Sequence, residues 1–65
     1  MKMSGIVRKY DDITLTGYIE GYDGITYLYH QRNVENNTIL KEGDLVKFNF
    51  DIVENDYCAN DIEKK

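Results

Sequence analysis

The chain has one histidine, His30, which closes the run Ile25-Thr26-Tyr27-Leu28-Tyr29-His30 and is followed by Gln31 and Arg32. It has one cysteine, Cys58, followed by Ala59. A histidine ligates metal or takes protons only in company, with cysteines or carboxylates at ligand spacing or a nucleophile within reach. No such company surrounds His30, and no histidine or cation stands beside Cys58 to activate it, so Cys58 reads as a small buried apolar residue. Asp51, Glu54 and Asp56 lack the oxygen-ligand spacing of a calcium loop, and neither a phosphate-cradling glycine loop nor a paired-carboxylate motif is visible. An enzyme, a metal site and a small-molecule cofactor are therefore not expected. What remains is non-covalent chemistry. The rings of Tyr18 and His30 can stack on planar groups, and Arg8, Lys9 and Arg32 can contact phosphates. The plainer account of the same residues is cross-strand packing for Tyr18, a half-buried structural role for His30, and solvated surface charge for the cations.

Charge bears on that choice. The formal net charge is −4, which opposes a polyanionic partner. The acids concentrate late, in Glu35, Glu42, Asp44, Asp51, Glu54, Asp56, Asp61 and Glu63, whereas Arg8 and Lys9 lie early. A local basic face on an acidic protein is compatible with this distribution. One cysteine allows no internal disulfide, and no apolar run is long enough for a signal peptide or a membrane span. The expected setting is the cytoplasm, with no membrane partner.

Sixty-five residues with 42% hydrophobic and 31% charged content suit one small folded domain, 1–65, with residues 1–3 and 63–65 fraying at its ends. The apolar residues are Ile, Val, Leu, Tyr and Phe, with no Trp or Pro, a palette that favours strands. Five alternating segments appear. The first runs from Gly5 to Tyr10 and ends at Asp11-Asp12; the second runs from Leu15 to Glu20, with Leu15, Gly17 and Ile19 inward. Asp23-Gly24 is a hairpin signal leading into Ile25 to His30. A polar stretch, Gln31 to Thr38, has room for a helical turn around Arg32-Asn33-Val34. Leu45 to Val53 follows, with Val46, Phe48, Phe50 and Ile52 on one parity, and a tight turn at Glu54-Asn55-Asp56 leads to Tyr57 to Ile62. Strand–turn–strand spacing with no helical period predicts a small all-β barrel or sandwich, and closure would remove edges that so small a sheet cannot protect. Val7, Ile19, Val34, Val46, Phe48 and Ile62 are the candidate core, and Gly17, Gly24 and Gly43 read as bulge and turn devices.

In this order the chain resembles the bacterial cold-shock proteins along nearly its whole length. Gly5-Ile6-Val7-Arg8-Lys9-Tyr10-Asp11 is similar to the family's G-x-V-K-W-F-N, and Thr14-Leu15-Thr16-Gly17-Tyr18-Ile19 to its first ribonucleoprotein motif, K-G-F-G-F-I. Tyr27-Leu28-Tyr29-His30 falls on the second motif, V-F-V-H. Leu40 to Phe48 resembles L-x-x-G-x-x-V-x-F, and Cys58-Ala59-Asn60 the closing A-x-N-V. The resemblance implies a five-stranded antiparallel OB-fold barrel of cold-shock type that binds single-stranded RNA or DNA. It also puts Tyr27 and Tyr29 inward and Leu28 and His30 outward; a flipped register would instead present the two tyrosines.

The departures fall on the binding chemistry. Where the family stacks bases on Trp and Phe, this chain has Lys9, Thr16, Leu28 and Gln31, and the first-motif Lys is Thr14. Each stacking contact is worth roughly 1–3 kcal/mol, so the resemblance implies weak binding with little sequence preference. Arg8, Lys9, Tyr10, Thr16, Tyr18, Leu28, His30 and Arg32 are the expected contact residues, in a role modulating transcription or translation. The rival expectation is an OB-fold that has lost its nucleic-acid platform and acts as a protein-interaction or inhibitor module.

Overall fold

The computed structural model describes residues 2–65. Its strands are β1 (Met3–Asp11), β2 (Thr16–Gly21), β3 (Thr26–His30), β4 (Leu45–Val53) and β5 (Asp56–Lys64), with short 3₁₀ turns at Gln31–Asn33 and Glu35–Asn37 between β3 and β4. They close into a barrel in the order β1-β2-β3-β5-β4, the OB-type arrangement. Four ladders are antiparallel, as expected, but β3 and β5 run parallel, meeting at Leu28 and Cys58. A ring of five alternating strands cannot be antiparallel throughout: an odd number forces one parallel contact. Among the described residues no helix is long and apolar enough to cross a membrane.

The turns follow from local chemistry. Asp23 accepts the Ile25 amide at 3.0 Å, and Gly24 takes φ +85°, a backbone region that side chains disfavour. Glu54 and Asn55 both have positive φ, 51° and 71°, the type I′ geometry that matches the twist of a two-residue hairpin. Leu15 is not inward as expected. It sits in the β1–β2 turn with φ +62° and is exposed.

The core comprises Val7, Ile19, Tyr27, Tyr29, Val34, Leu40, Val46, Phe48, Ala59 and Ile62. All six expected core residues are buried, and Tyr27 and Tyr29 face inward while Leu28 faces out. Val34 bridges to Ile62, and Val34 and Leu40 bring the long β3–β4 connection into the core. The β4 parity holds only halfway. Val46 and Phe48 are fully buried, but Phe50 is 41% and Ile52 61% exposed, because there the β4–β5 hairpin has outrun the ladder to β1, which ends at Met3 and Phe48.

Within the described residues both ends are drawn into the sheet. Met3 pairs with Phe48, Glu63 with Lys47 and Lys64 with Val46, while Met1 lies outside the described residues. Lys2 lies 2.6 Å from Glu35 and 3.8 Å from Glu63, and the Lys65 ammonium donates to Ser4 at 2.8 Å. The first and last segments therefore brace one another.

The two core phenols differ in satisfaction. Tyr27 donates to Asp23 at 2.6 Å, whereas the Tyr29 hydroxyl is buried without a partner among the described residues. Burial, then the neighbouring Asp23 carboxylate, pushes Tyr27 up to about 12; burial, then Tyr10 and Asp44, pushes Tyr29 up to about 12. The same bond from Tyr27 holds the Asp23 carboxyl below its usual range. Both phenols lie above the ordinary 10.0, so the folded state holds their protons more tightly than the unfolded chain. That contribution is complete below pH 10 and is lost as pH rises towards about 12. The Tm is therefore expected to fall across that window. Tyr29→Phe removes an unmet desolvation cost of about 1–3 kcal/mol. It is expected to melt above the parent and to lose part of the alkaline fall, while Tyr27→Phe melts below it. A lower Tm for Tyr29→Phe would show that the hydroxyl is satisfied.

Candidate functional site

Two β-bulges decide which side chains reach the outer face. Val7 pairs with Ile19 and Lys9 with Tyr18, so Arg8 is an extra residue in β1. Without it, alternation would send Lys9 inward behind Val7. With it, Lys9 stands outside against Tyr18 and Tyr10 turns in against Gly17. In β5 the same device works across Phe48: Lys47 pairs with Glu63 and Asn49 with Asn60, so Asp61 and Ile62 together face one residue, with Asp61 at φ +49°.

The registers then lay a row across the barrel surface, from Lys9 to Tyr18, Leu28, Cys58 and Asp51. A second row runs Asp11, Thr16, His30. Between and beside these rows lies a groove of about 430 Å³. Six of the eight expected contact residues line it: Lys9, Thr16, Tyr18, Leu28, His30 and Arg32. Tyr18 and Leu28 are 43% and 38% exposed, directly paired across β2 and β3, and together offer one aromatic and one aliphatic surface.

The other two expected residues are elsewhere. Arg8 lines a neighbouring hollow, where its Nε donates to Glu20 at 2.8 Å. Tyr10 is half-buried and packs its ring over Tyr29, with centroids 6.1 Å apart and planes 16° apart. Both displacements come from the bulge, since only one of Lys9 and Tyr10 can share the Tyr18 face.

His30 has a structural role and also lines the groove. Its Nδ1 accepts the Arg32 amide at 3.0 Å, capping the 3₁₀ turn. That bond leaves the proton on Nε2 and orients a half-buried ring at the groove wall. It also sets the direction of the chain at Arg32, whose guanidinium, like the Lys9 ammonium, makes no ion pair among the described residues. Sequence reasoning missed five further lining residues, Asp11, Gly17, Tyr29, Asn33 and Cys58. Cys58 is half-exposed in the groove rather than buried, its thiol 3.8 Å from the Asp56 carbonyl. The parallel β3–β5 contact is what brings it beside Leu28, and nothing local announces that pairing. Gly17, read from the sequence only as a bulge or turn device, is where β1 passes so close that a Cβ would come within 2.2 Å of the Lys9 carbonyl.

Chemically the groove offers a stacking surface, two cations and one carboxylate, with no gathering of three or more potential metal ligands among the described residues. No family model matches the chain, and no curated protein matches it. The fold itself, a small closed barrel with an aromatic cluster of Tyr27, Phe48, Phe50 and Tyr57, is compatible with an OB-fold domain of cold-shock kind.

Proposed function

We propose that this barrel is a divergent cold-shock-like domain that binds single-stranded RNA or DNA weakly, in a reducing, cytoplasmic setting, modulating transcription or translation without catalysis. The observation that carries the reading is the convergence of Lys9, Tyr18, Leu28, His30 and Arg32 on one groove of the outer face. Stacking on Tyr18 and His30 would hold bases whatever their identity, and Lys9 and Arg32 would meet the phosphates. Of the twelve acids only Asp11 lines the groove, and the others, Glu54, Asp56, Asp61 and Glu63 among them, keep overall affinity low.

Titration with oligo(dT) and oligo(U) at about 50 and about 200 mM salt tests this: binding should be present at low salt and fall steeply with added salt. Tyr18→Ala should weaken binding by roughly 1–3 kcal/mol with little change in Tm, because it removes a platform and leaves the core intact. Lys9→Trp combined with Thr16→Phe should strengthen binding by adding two stacking surfaces. A folded double variant that binds no better than the parent would turn the reading to the alternative.

That alternative is a protein-interaction or inhibitor module, and one observation favours it. The free end of the β4–β5 hairpin exposes Phe50, Ile52 and Val53 beside Asp51, Glu54 and Asp56. Apolar side chains on an acidic ribbon suit a basic protein surface.

A further inference from the structure

The groove contains a carboxylate where a phosphate-binding surface should have none. Asp11 is half-buried, ends β1, pairs with Thr16 and lines the same groove as Lys9 and Arg32. Its position is not accidental flexibility. Oδ1 accepts the Ile13 amide at 2.8 Å and the Thr14 amide at 3.4 Å, a turn that pins the side chain. Oδ2 has no hydrogen-bond partner among the described residues, and neither groove cation pairs with it.

A fixed carboxylate oxygen with spare lone pairs repels phosphate and accepts N–H groups. On a strand of nucleic acid the N–H groups are on the base edges. Guanine presents an imino and an amino N–H side by side, cytosine and adenine an amino group, thymine and uracil a single imino N–H. With a base stacked on Tyr18 and Leu28 and its phosphates drawn to Lys9 and Arg32, the edge turned towards the end of β1 meets Asp11.

We infer that Asp11 is a specificity-determining residue, which gives an otherwise sequence-tolerant groove a preference at one position for a base bearing adjacent N–H donors, guanine above all and thymine or uracil least. The inference rests on the nucleic-acid reading above. It assigns opposite signs to the two parts of a nucleotide: Asp11 costs affinity through the phosphates and returns it through the right base.

The test compares hexathymidine with the same oligomer carrying one internal guanine, cytosine or adenine, by fluorescence anisotropy at low salt. The guanine oligomer is expected to bind about tenfold more tightly than hexathymidine, with cytosine and adenine between. Asp11→Asn keeps a turn-forming acceptor and removes the charge. It should tighten hexathymidine binding and shrink the guanine advantage towards parity. Equal affinity for all four oligomers, or a guanine preference unchanged in Asp11→Asn, would overturn the inference and leave the binding reading standing. Binding of none of them by the parent protein would overturn both. The comparison within the parent protein needs no variant, so it remains decisive even if Asp11→Asn unfolds.

Discussion

Phe48→Ala is expected to leave the protein largely unfolded at room temperature. Phe48 is fully buried, packs edge-on against Tyr27 at 5.0 Å between centroids, and fills the space above Gly5, where even an added Cβ would lie 2.8 Å from its ring. It also faces the β5 bulge at Asp61 and Ile62, so its ring packs where two ladders meet. Truncating a buried Phe costs about 3–5 kcal/mol through lost transfer energy and the cavity left behind. A chain this short holds only a few kcal/mol in reserve. The barrel gives little scope for collapse, because β4 is held on both sides by β1 and β5. Far-UV circular dichroism with a urea titration would check this; a variant melting within a few degrees of the parent would mean that Phe48 is not the central wedge.

Gly17→Ala is expected to have the second largest effect, and to damage the groove as well as the fold. A Cβ at Gly17 would lie 2.2 Å from the Lys9 carbonyl, 2.8 Å from the Tyr29 ring and 3.1 Å from the Tyr10 Cα. Two of those three neighbours are backbone, so relief requires β1 to move away from β2 rather than a side chain to rotate. Overpacking of this kind costs about 1–3 kcal/mol or more. The displaced ladder is the one that pairs Lys9 with Tyr18, so oligonucleotide binding should fall with stability. Gly24→Ala is the useful contrast: among the described residues nothing lies within 4 Å of its Cβ, and the cost is its φ of +85°, about 1–2 kcal/mol. Thermal melts should rank the two in that order, with amide shifts from Gly17→Ala concentrated around Tyr10, Tyr18 and Tyr29. A Gly17→Ala protein as stable as Gly24→Ala would show that the β1–β2 contact is looser than described.

Much of the site was legible because it depends on alternation, a property of the pleated strand itself. The inward choice of Tyr27 and Tyr29 and the outward choice of Leu28 and His30 follow from a period of two once the register is known. Arg8 and Tyr10 lie outside the groove lining, and the sequence carries a signal for it. Val7-Arg8-Lys9-Tyr10 and Ala59-Asn60-Asp61-Ile62 both run apolar–polar–polar–apolar, and a strand can hide both ends of such a stretch only by inserting a bulged residue between them. A reading alert to that pattern would have turned Tyr10 inward and left Lys9 alone beside Tyr18.

By itself, then, the amino-acid sequence determined what is local: five strands, the turns at Asp23-Gly24 and Glu54-Asn55, and the six core residues from Val7 to Ile62. These follow from side-chain sterics, turn conformations and the burial of alternate residues, all of which act within a few positions along the chain. Closure decided the rest. Which strands become neighbours across the seam placed Cys58 beside Leu28 and made that contact parallel. How far β4 outruns β1 left Phe50 and Ile52 exposed on a parity that buries Val46 and Phe48. Ion pairs join segments remote in sequence, such as Lys2 with Glu35. Each of these depends on residues dozens of positions apart meeting in space, and no short-range pattern carries that information.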